Sequence, residues 1–382
     1  MEGIIPRCAG LDGHKRIVVV CLRRLGPHGQ ISQEVRTLGT LTADLLGLAD
    51  GLVANGVTQV AMGSTGVYWK PGPNLLETRS TALVVNAQHI KQVPGPKTDV
   101  KDCRWIAQLL RHGPLRASFV PPRPIRQLRD LTRQRTPLIR HRATIANRPP
   151  KVLEDANIKL AGVATDILGM SGRAMIRALI AGEQDPPRRA DLARRRPRAK
   201  IDPLALALTG QVTDHHRFQL RGRMEQVERL DGGIERLEGR ILEAIAPFEA
   251  GLARLMTIPG LGRQAAEVVL AEIGADRTAF PTAGHLRSGA GMAPGNHQSA
   301  GKRSRGRTTK GGPWSRSVLV QAAWSARHTE KTRPSATYHK LARRVGKKRA
   351  VVAVGRKVLK LVSESLRGRT DYRDRSAPDQ AA

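Results

Sequence analysis

Three carboxylates are the first residues in this chain whose types and spacing could do chemistry. Asp12 lies just ahead of a short β-branched run at residues 17–22, in Gly10-Leu11-Asp12-Gly13-His14-Lys15. Asp99 and Asp102 open a predicted helix, in Lys97-Thr98-Asp99-Val100-Lys101-Asp102, and a spacing of i, i+3 puts both on one helix face. A carboxylate from a strand end meeting two from a helix can bind hard divalent cations. Two such ions activate a nucleophile and stabilise a leaving oxygen in phosphoryl transfer. The same spacing is also what a capping Asp99 and a dipole-favoured first-turn Asp102 would show.

Two further groups point to phosphate. Gly260-Leu261-Gly262-Arg263-Gln264-Ala265 fits a loose dinucleotide pattern, but no β-rich strand leads into it and Pro259 interrupts the approach. It reads better as a helix-hairpin-helix turn in which Gly260, Gly262 and Arg263 approach a DNA phosphate at a helix N-terminus. A plain helical hairpin is the competing reading. Farther on, Ser299 is followed by Lys302, Arg303, Arg305, Arg307 and Lys310 among glycines and small residues. Cations in such a setting suit contact with a phosphate backbone, and a serine among them is where a nucleophile would meet a phosphodiester. An idle serine in a flexible basic loop competes. His14 and the pair His215 and His216 show no ligand spacing and read as surface residues. Aromatic residues are only 3% of the chain, which argues against stacking platforms for single strands.

The elements that must position these groups follow from periodicity. Strand signals at 17–22, 31–38, 57–62 and 81–86 alternate with helical ones at 41–53, 68–77 and 99–112. That order predicts an α/β domain with an antiparallel hairpin on a partly parallel sheet, as in RNase H-like folds. Beyond it the chain reads as mainly helical. Residues 125–145 carry arginines around an apolar stripe, and Pro149-Pro150 ends that helix. Residues 186–203 read as an Arg-rich linker. Residues 220–245 form a coiled-coil-like seam that the Gly232-Gly233 pair weakens. Helices at 263–273, 314–328 and 338–366 flank a Gly/Ser-rich stretch at 288–312, and the tail past Asp371 is expected to fray.

Composition bounds the partners. The 382 residues include 65 Lys and Arg against 32 Asp and Glu, a net charge of +33, which calls for a polyanion. Residues 1–125 hold 15 basic and 8 acidic side chains, 126–254 hold 25 and 16, and 255–382 hold 25 and 8. Half of the excess therefore lies in the last third. Hydrophobic residues at 40% are enough for a sizeable core. Three cysteines exclude a disulfide framework, and there is no CxxC for zinc. No apolar run approaches the length of a membrane helix, and the N-terminal residues lack a signal-peptide layout. A cytoplasmic protein, with no membrane contact and nucleoid-associated when bound to DNA, is the expectation.

The residues at 9–15, Gly63-Ser64-Thr65-Gly66-Val67-Tyr68-Trp69-Lys70-Pro71 and those at 93–102 resemble the DEDD-type insertion-sequence transposases, relatives of the pilin-gene invertases. Ile258-Pro259-Gly260-Leu261-Gly262, Gly291-Met292-Ala293-Pro294-Gly295 and Ser299-Ala300-Gly301-Lys302 extend the match, in the family's order, to about Asp374. The resemblance implies an RNase H-like catalytic domain over 1–122, a helical linker over 123–250, a C-terminal DNA-binding and serine domain over 251–375, and a disordered tail at 376–382. It implies a Mg²⁺-binding tetrad on Asp12, position 63, Asp99 and Asp102, and a nucleophilic serine at Ser299. The implied partners are element ends and target DNA, a structured guide RNA in some members, and further copies of the chain in a dimer or tetramer, with the 220–245 seam as a contact. One departure stands out. The tetrad glutamate is Gly63 here, and Gly289 replaces a usual aromatic. Those changes predict an impaired copy, with a non-catalytic nucleic-acid-binding remnant and a junction-resolving nuclease as alternatives.

Overall fold

The β-branched run of the N-terminal third forms a strand buried on both faces. In β2 (Ile17–Leu25), Val18, Val20 and Leu22 point to one side of a sheet while Val19 and Cys21 point to the other. The computed structural model describes residues 5–374 except 65, 78, 87–97, 114, 116, 195, 276–279, 300–301 and 309–310, and only the backbone of 196–197, 295–299 and 302–307. The chain divides after Val120 into two compact units.

The first unit holds β1 (Arg7–Gly13), β2, β3 (Ile31–Gly39), α1 (Thr42–Ala54), β4 (Gln59–Gly63), α2 (Pro71–Leu76), β5 (Thr81–Val85) and α3 (Asp99–His112). The sheet order is β3-β2-β1-β4-β5. Strand β2 pairs antiparallel with β1 and β3, while β1, β4 and β5 run parallel. This is the expected RNase H-like α/β arrangement. Leu45, Leu48 and Leu52 of α1 close one face, and Ile106 and Leu110 of α3 close the other. All three cysteines are free and buried.

Strand β1 escapes sequence reasoning. Its residues Arg7-Cys8-Ala9-Gly10-Leu11-Asp12-Gly13 include no β-branched side chain. It is nevertheless the central strand, with ladders on both edges, and burial rather than propensity holds it. Asp12 therefore belongs to the sheet itself, not to the approach to it.

Gly10 sets how closely α3 can approach. A Cβ there would lie 2.3 Å from the Cys103 carbonyl oxygen and 2.4 Å from the Ala107 nitrogen, both backbone atoms that cannot swing away. Gly10→Ala is expected to cost about 1–3 kcal/mol, the usual penalty of overpacking. Gly47→Ala in α1, where a Cβ meets nothing within 4 Å, should instead gain up to about 1 kcal/mol from helix propensity. Urea midpoints of the two variants check both signs.

The second unit is mainly helical, as expected: α4 (Arg123–Ala146), α5 (Pro149–Asp155), α6 (Leu160–Val163), α7 (Met170–Ala181), α8 (Pro186–Ala190), α9 (Ile201–Ala207), α10 (Asp214–Ile245), α11 (Glu249–Met256), α12 (Arg263–Ile273), α13 (Ala283–Gly289), α14 (Pro313–Ala326), α15 (Arg333–Val345) and α16 (Lys347–Gly368). A hairpin of β6 (Pro294–Ser299) and β7 (Lys302–Thr308) interrupts them. One core gathers Met175, Ile176, Leu179, Leu204 and Leu220, and another gathers Leu252, Leu270, Leu319, Val354 and Val358. Helices α4 and α10 thread both cores. Ile125 and Leu128 share one with Ile241 and Ile245, and Ile145 shares the other with Leu220, Met224 and Val227. The two helices are thus antiparallel. The seam at 220–245 packs within its own chain, and the helix continues through Gly232-Gly233 where Leu138 passes.

Several readings are corrected. Residues 186–203 are not a bare linker, because α8 and the start of α9 lie there and Arg189 and Ala190 are buried. The helix read over 338–366 breaks at Gly346, whose φ of +82° favours glycine. The stretch at 288–312 contains the β6–β7 hairpin instead of loop alone. The chain at 371–374 is tied down, not frayed: the Tyr372 N–H donates to Thr257 Oγ1 at 2.9 Å, and its hydroxyl donates to Asp374 at 2.9 Å. The tail at 376–382 lies outside the described residues.

Candidate metal centre and nucleic-acid interface

Thr98, not Asp99, caps α3, its hydroxyl accepting from the Lys101 N–H at 3.3 Å. The capping alternative for Asp99 therefore fails, and its carboxylate is left to face the sheet. The β1–β2 turn is closed by the His14 N–H donating to the Ile17 carbonyl at 2.9 Å. That turn carries the His14 ring between the two acids. His14 Nε2 lies 3.3 Å from Asp12 Oδ2 and 3.3 Å from Asp99 Oδ1. The three donor atoms lie within 4.8 Å of one another.

The electrostatics are those of a half-enclosed acidic pocket. Asp12 is more sheltered than Asp99, with its side chain 15% exposed against 51%. Burial raises the Asp12 pKa; His14 opposes that, and the charges of Asp102 and then Asp99 add to it. The sign follows. The folded state holds this proton more tightly than the unfolded chain does, so ionising Asp12 costs stability as pH rises through the carboxylate range. A bound cation offsets that cost. Asp102 is close enough for its charge to act on Asp12, but it is not among the three clustered donors. Gly63 ends β4 one residue past Met62, which pairs with Leu11, so it stands beside Asp12 with no side chain to offer. The donors present, two carboxylates and an imidazole at adjacent-corner spacing, fit a divalent ion. His14 is the residue that sequence reasoning set aside. Its position two after Asp12 carried no signal, because the turn that folds it back is visible only in three dimensions.

In the second unit the two glycines of the α11–α12 turn differ. Gly260 has φ +87°, and a Cβ on it would lie 2.2 Å from the Ala322 carbonyl of α14, so its small size serves packing. Gly262 caps α12 and is exposed, with nothing within 4 Å of a Cβ. Arg263 is engaged by acids: it donates to Glu249 at 3.1 and 3.3 Å and to Glu267 at 3.1 Å. Ser299 ends β6 opposite Lys302, with Arg303 opposite Gln298 and Arg305 opposite Asn296. Arg307 also lies on β7. The side chains of Ser299, Lys302, Arg303, Arg305 and Arg307, and the whole of Lys310, lie outside the described residues. Glycines clamp the base of the hairpin, since a Cβ at Gly311 would lie 2.1 Å from the Gly291 nitrogen. Beside them the Phe280 ring stands 3.2 Å from where a Gly289 Cβ would be.

A cationic cluster on α15 and α16 was also missed. Lys357 donates to Thr337 at 3.0 Å. Burial, followed by the charges of Arg333, Lys340 and Lys360, lowers its pKa. Like charges gathered this way gain from an anionic partner. A spacing of seven residues in α15 (Arg333, Lys340) and of three in α16 (Lys357, Lys360) was the available signal, but the pairing of the helices is tertiary.

An RNase H-like sheet with acids at the end of its central strand and on a facing helix, followed in the chain by a helical unit with a basic hairpin, defines a DEDD-type transposase. Residues 9–158 match the DEDD transposase model of IS110 elements, and residues 252–340 match the family described as Transposase IS116/IS110/IS902. The two stretches together take in more than half of the chain, which belongs to this IS110 family of insertion-sequence transposases. It is a DNA transposase and recombinase enzyme. No curated protein matches the sequence. Among the described residues no helix is long and apolar enough to cross a membrane.

Proposed function

We propose that the chain cuts and rejoins DNA at the ends of its element with a divalent-cation site on Asp12 and Asp99, assisted by Asp102, and with Ser299 as the nucleophile. The convergence of Asp12 and Asp99 on one point carries this reading. A bound divalent ion, Mg²⁺ in the family's pattern, supplies charge neutralisation at the phosphate. The chain's own residues do the rest. Asp12, fixed in the central strand, and Asp99, freed by the Thr98 cap, hold the cation. Ser299 sits at a hairpin turn among cations that position a phosphodiester. The exposed Gly262 N–H end of α12 and the Lys340, Lys357 and Lys360 cluster grip the backbone of element ends, target DNA or a structured guide RNA. Two duplexes must be brought together, which calls for a dimer or tetramer. The apolar positions Leu220, Met224, Val227, Ile241 and Ile245 of the 220–245 seam pack within the chain's own cores.

A second reading has its own observation. Gly63 leaves the tetrad one carboxylate short and favours a slowed copy. Recombination on the element's own ends separates the cases. Ser299→Ala is expected to abolish recombination and covalent protein–DNA adducts while leaving duplex affinity intact. Cleavage that survives Ser299→Ala would make the chain a junction-resolving nuclease instead. Gly63→Glu should raise the rate about 10-fold or more, because losing even an outer partner of a metal ligand costs about 10–100-fold. Equal rates with and without the glutamate would end the idea of impairment, and no activity in either would leave a binding remnant.

A further inference from the structure

The geometry points to His14 as a protein ligand of the divalent ion, supplying from the β1–β2 turn the donor that Gly63 does not supply from β4, and tilting the site from Mg²⁺ toward Mn²⁺. The inference rests on the metal reading above and adds to it a ligand and a preference.

Three observations carry it. Adjacent ligand atoms around an octahedral ion with bonds of about 2.1 Å lie about 3 Å apart, and His14 Nε2 is 3.3 Å from an oxygen of each acid. Nε2 is shielded from solvent and has no well-aligned hydrogen bond, its nearest partners being the two carboxylates at 3.3 Å. A shielded imidazole nitrogen without a well-aligned partner gains from a cation bound between it and the acids. Finally, the turn that holds His14 is anchored, by its own N–H to Ile17 at 2.9 Å and by the Thr40 hydroxyl donating to the Lys15 carbonyl at 3.0 Å.

The preference follows from ligand chemistry. Mg²⁺ takes oxygen donors almost exclusively and keeps much of its water. Imidazole suits first-row transition ions, and Mn²⁺ accepts it alongside carboxylates. A full tetrad would offer four carboxylates. Here a glycine occupies one of those positions and an imidazole stands beside two of the acids.

Titrating the full-length protein with Mn²⁺, with free Mn²⁺ read by electron paramagnetic resonance and Mg²⁺ added as competitor, tests this without DNA. The wild type should bind Mn²⁺ more tightly than Mg²⁺. His14→Ala should weaken Mn²⁺ about 10-fold or more and Mg²⁺ much less, as expected for loss of a nitrogen ligand. His14→Asp, which makes the donor set all oxygen, should restore binding but shift it toward Mg²⁺. His14 is on an exposed turn, and far-UV circular dichroism confirms that both variants fold. A Mn²⁺ to Mg²⁺ ratio unchanged in His14→Ala, or tighter Mn²⁺ binding once the ring is gone, overturns the ligand assignment alone. A wild type that binds neither ion overturns the metal reading beneath it.

Discussion

Asp12→Asn is expected to slow strand cleavage and joining by about 10³-fold or more while leaving DNA affinity within about twofold, because the metal's share of transition-state stabilisation is several kcal/mol and each 1.4 kcal/mol is about tenfold. Asparagine keeps the size and most of the hydrogen-bonding capacity of the side chain, so β1 and its ladders should stay intact. What it removes is the charge. Asp12 is more sheltered than Asp99, and burial already makes its ionised form costly. An ion that binds there gains most from this carboxylate. Asp99, half exposed at the start of α3, should show a smaller loss when changed to asparagine. Single-turnover cleavage of element ends, paired with a binding titration at the same salt, reads both quantities. Cleavage by Asp12→Asn at close to the wild-type rate would remove the acids from the chemistry and move the catalytic role to the second unit.

Glu267→Ala should cost the second unit about 3–5 kcal/mol, because it strands a buried arginine. Arg135 and Glu267 are 3% and 5% exposed and 2.6 Å apart, joining α4 to α12 inside the main core. Around them Arg133 holds Glu272 at 2.6 and 2.9 Å, and Arg129 donates to the Ala271 and Glu272 carbonyls at 3.0 and 2.8 Å. These arginines close the C-terminal end of α12, where carbonyls lack helical partners. The asymmetry gives a sharper test. Replacing both partners, with Arg135→Met and Glu267→Leu together, should be close to neutral, since an apolar pair of similar volume avoids the desolvation cost. Chemical denaturation followed by circular dichroism measures both. A single mutant as stable as the wild type would mean that water reaches the pair.

The class of the protein was legible because its signals are local. The runs at 17–22, 57–62 and 81–86 carry strand periodicity in adjacent residues, and each coincides in most of its length with a strand. The carboxylates at 99 and 102 carry a helix face in their spacing. The charge excess of the last third is a matter of counting. Other features were legible only in part. The arginines of α4 read as residues around an apolar stripe, yet Arg135 is buried against Glu267, a residue 132 positions away. Nothing near Arg135 in the chain announces its partner. The hairpin at β6–β7 lies in a stretch whose sequence shows only a Gly/Ser-rich composition, because glycines depress strand propensity. Arg263 read as a phosphate contact because the acids that engage it, Glu249 and Glu267, approach it through the α11–α12 turn.

By itself the sequence determined the family, the mixed sheet that follows from strand order, the acids that can bind a cation and the polyanion that its charge requires. Each of these depends on residue type, on short-range spacing or on totals. Tertiary structure alone decided that a strand without β-branched residues stands at the centre of the sheet, that Gly10 lets α3 close over it, and that His14 rather than a residue at position 63 faces Asp12 and Asp99. It also decided that Arg133 and Arg135 turn inward to pair with Glu272 and Glu267. The physical reason is the same throughout. Burial and ion pairing join residues far apart in the chain, and their strength depends on distances of a few ångströms that no local pattern encodes.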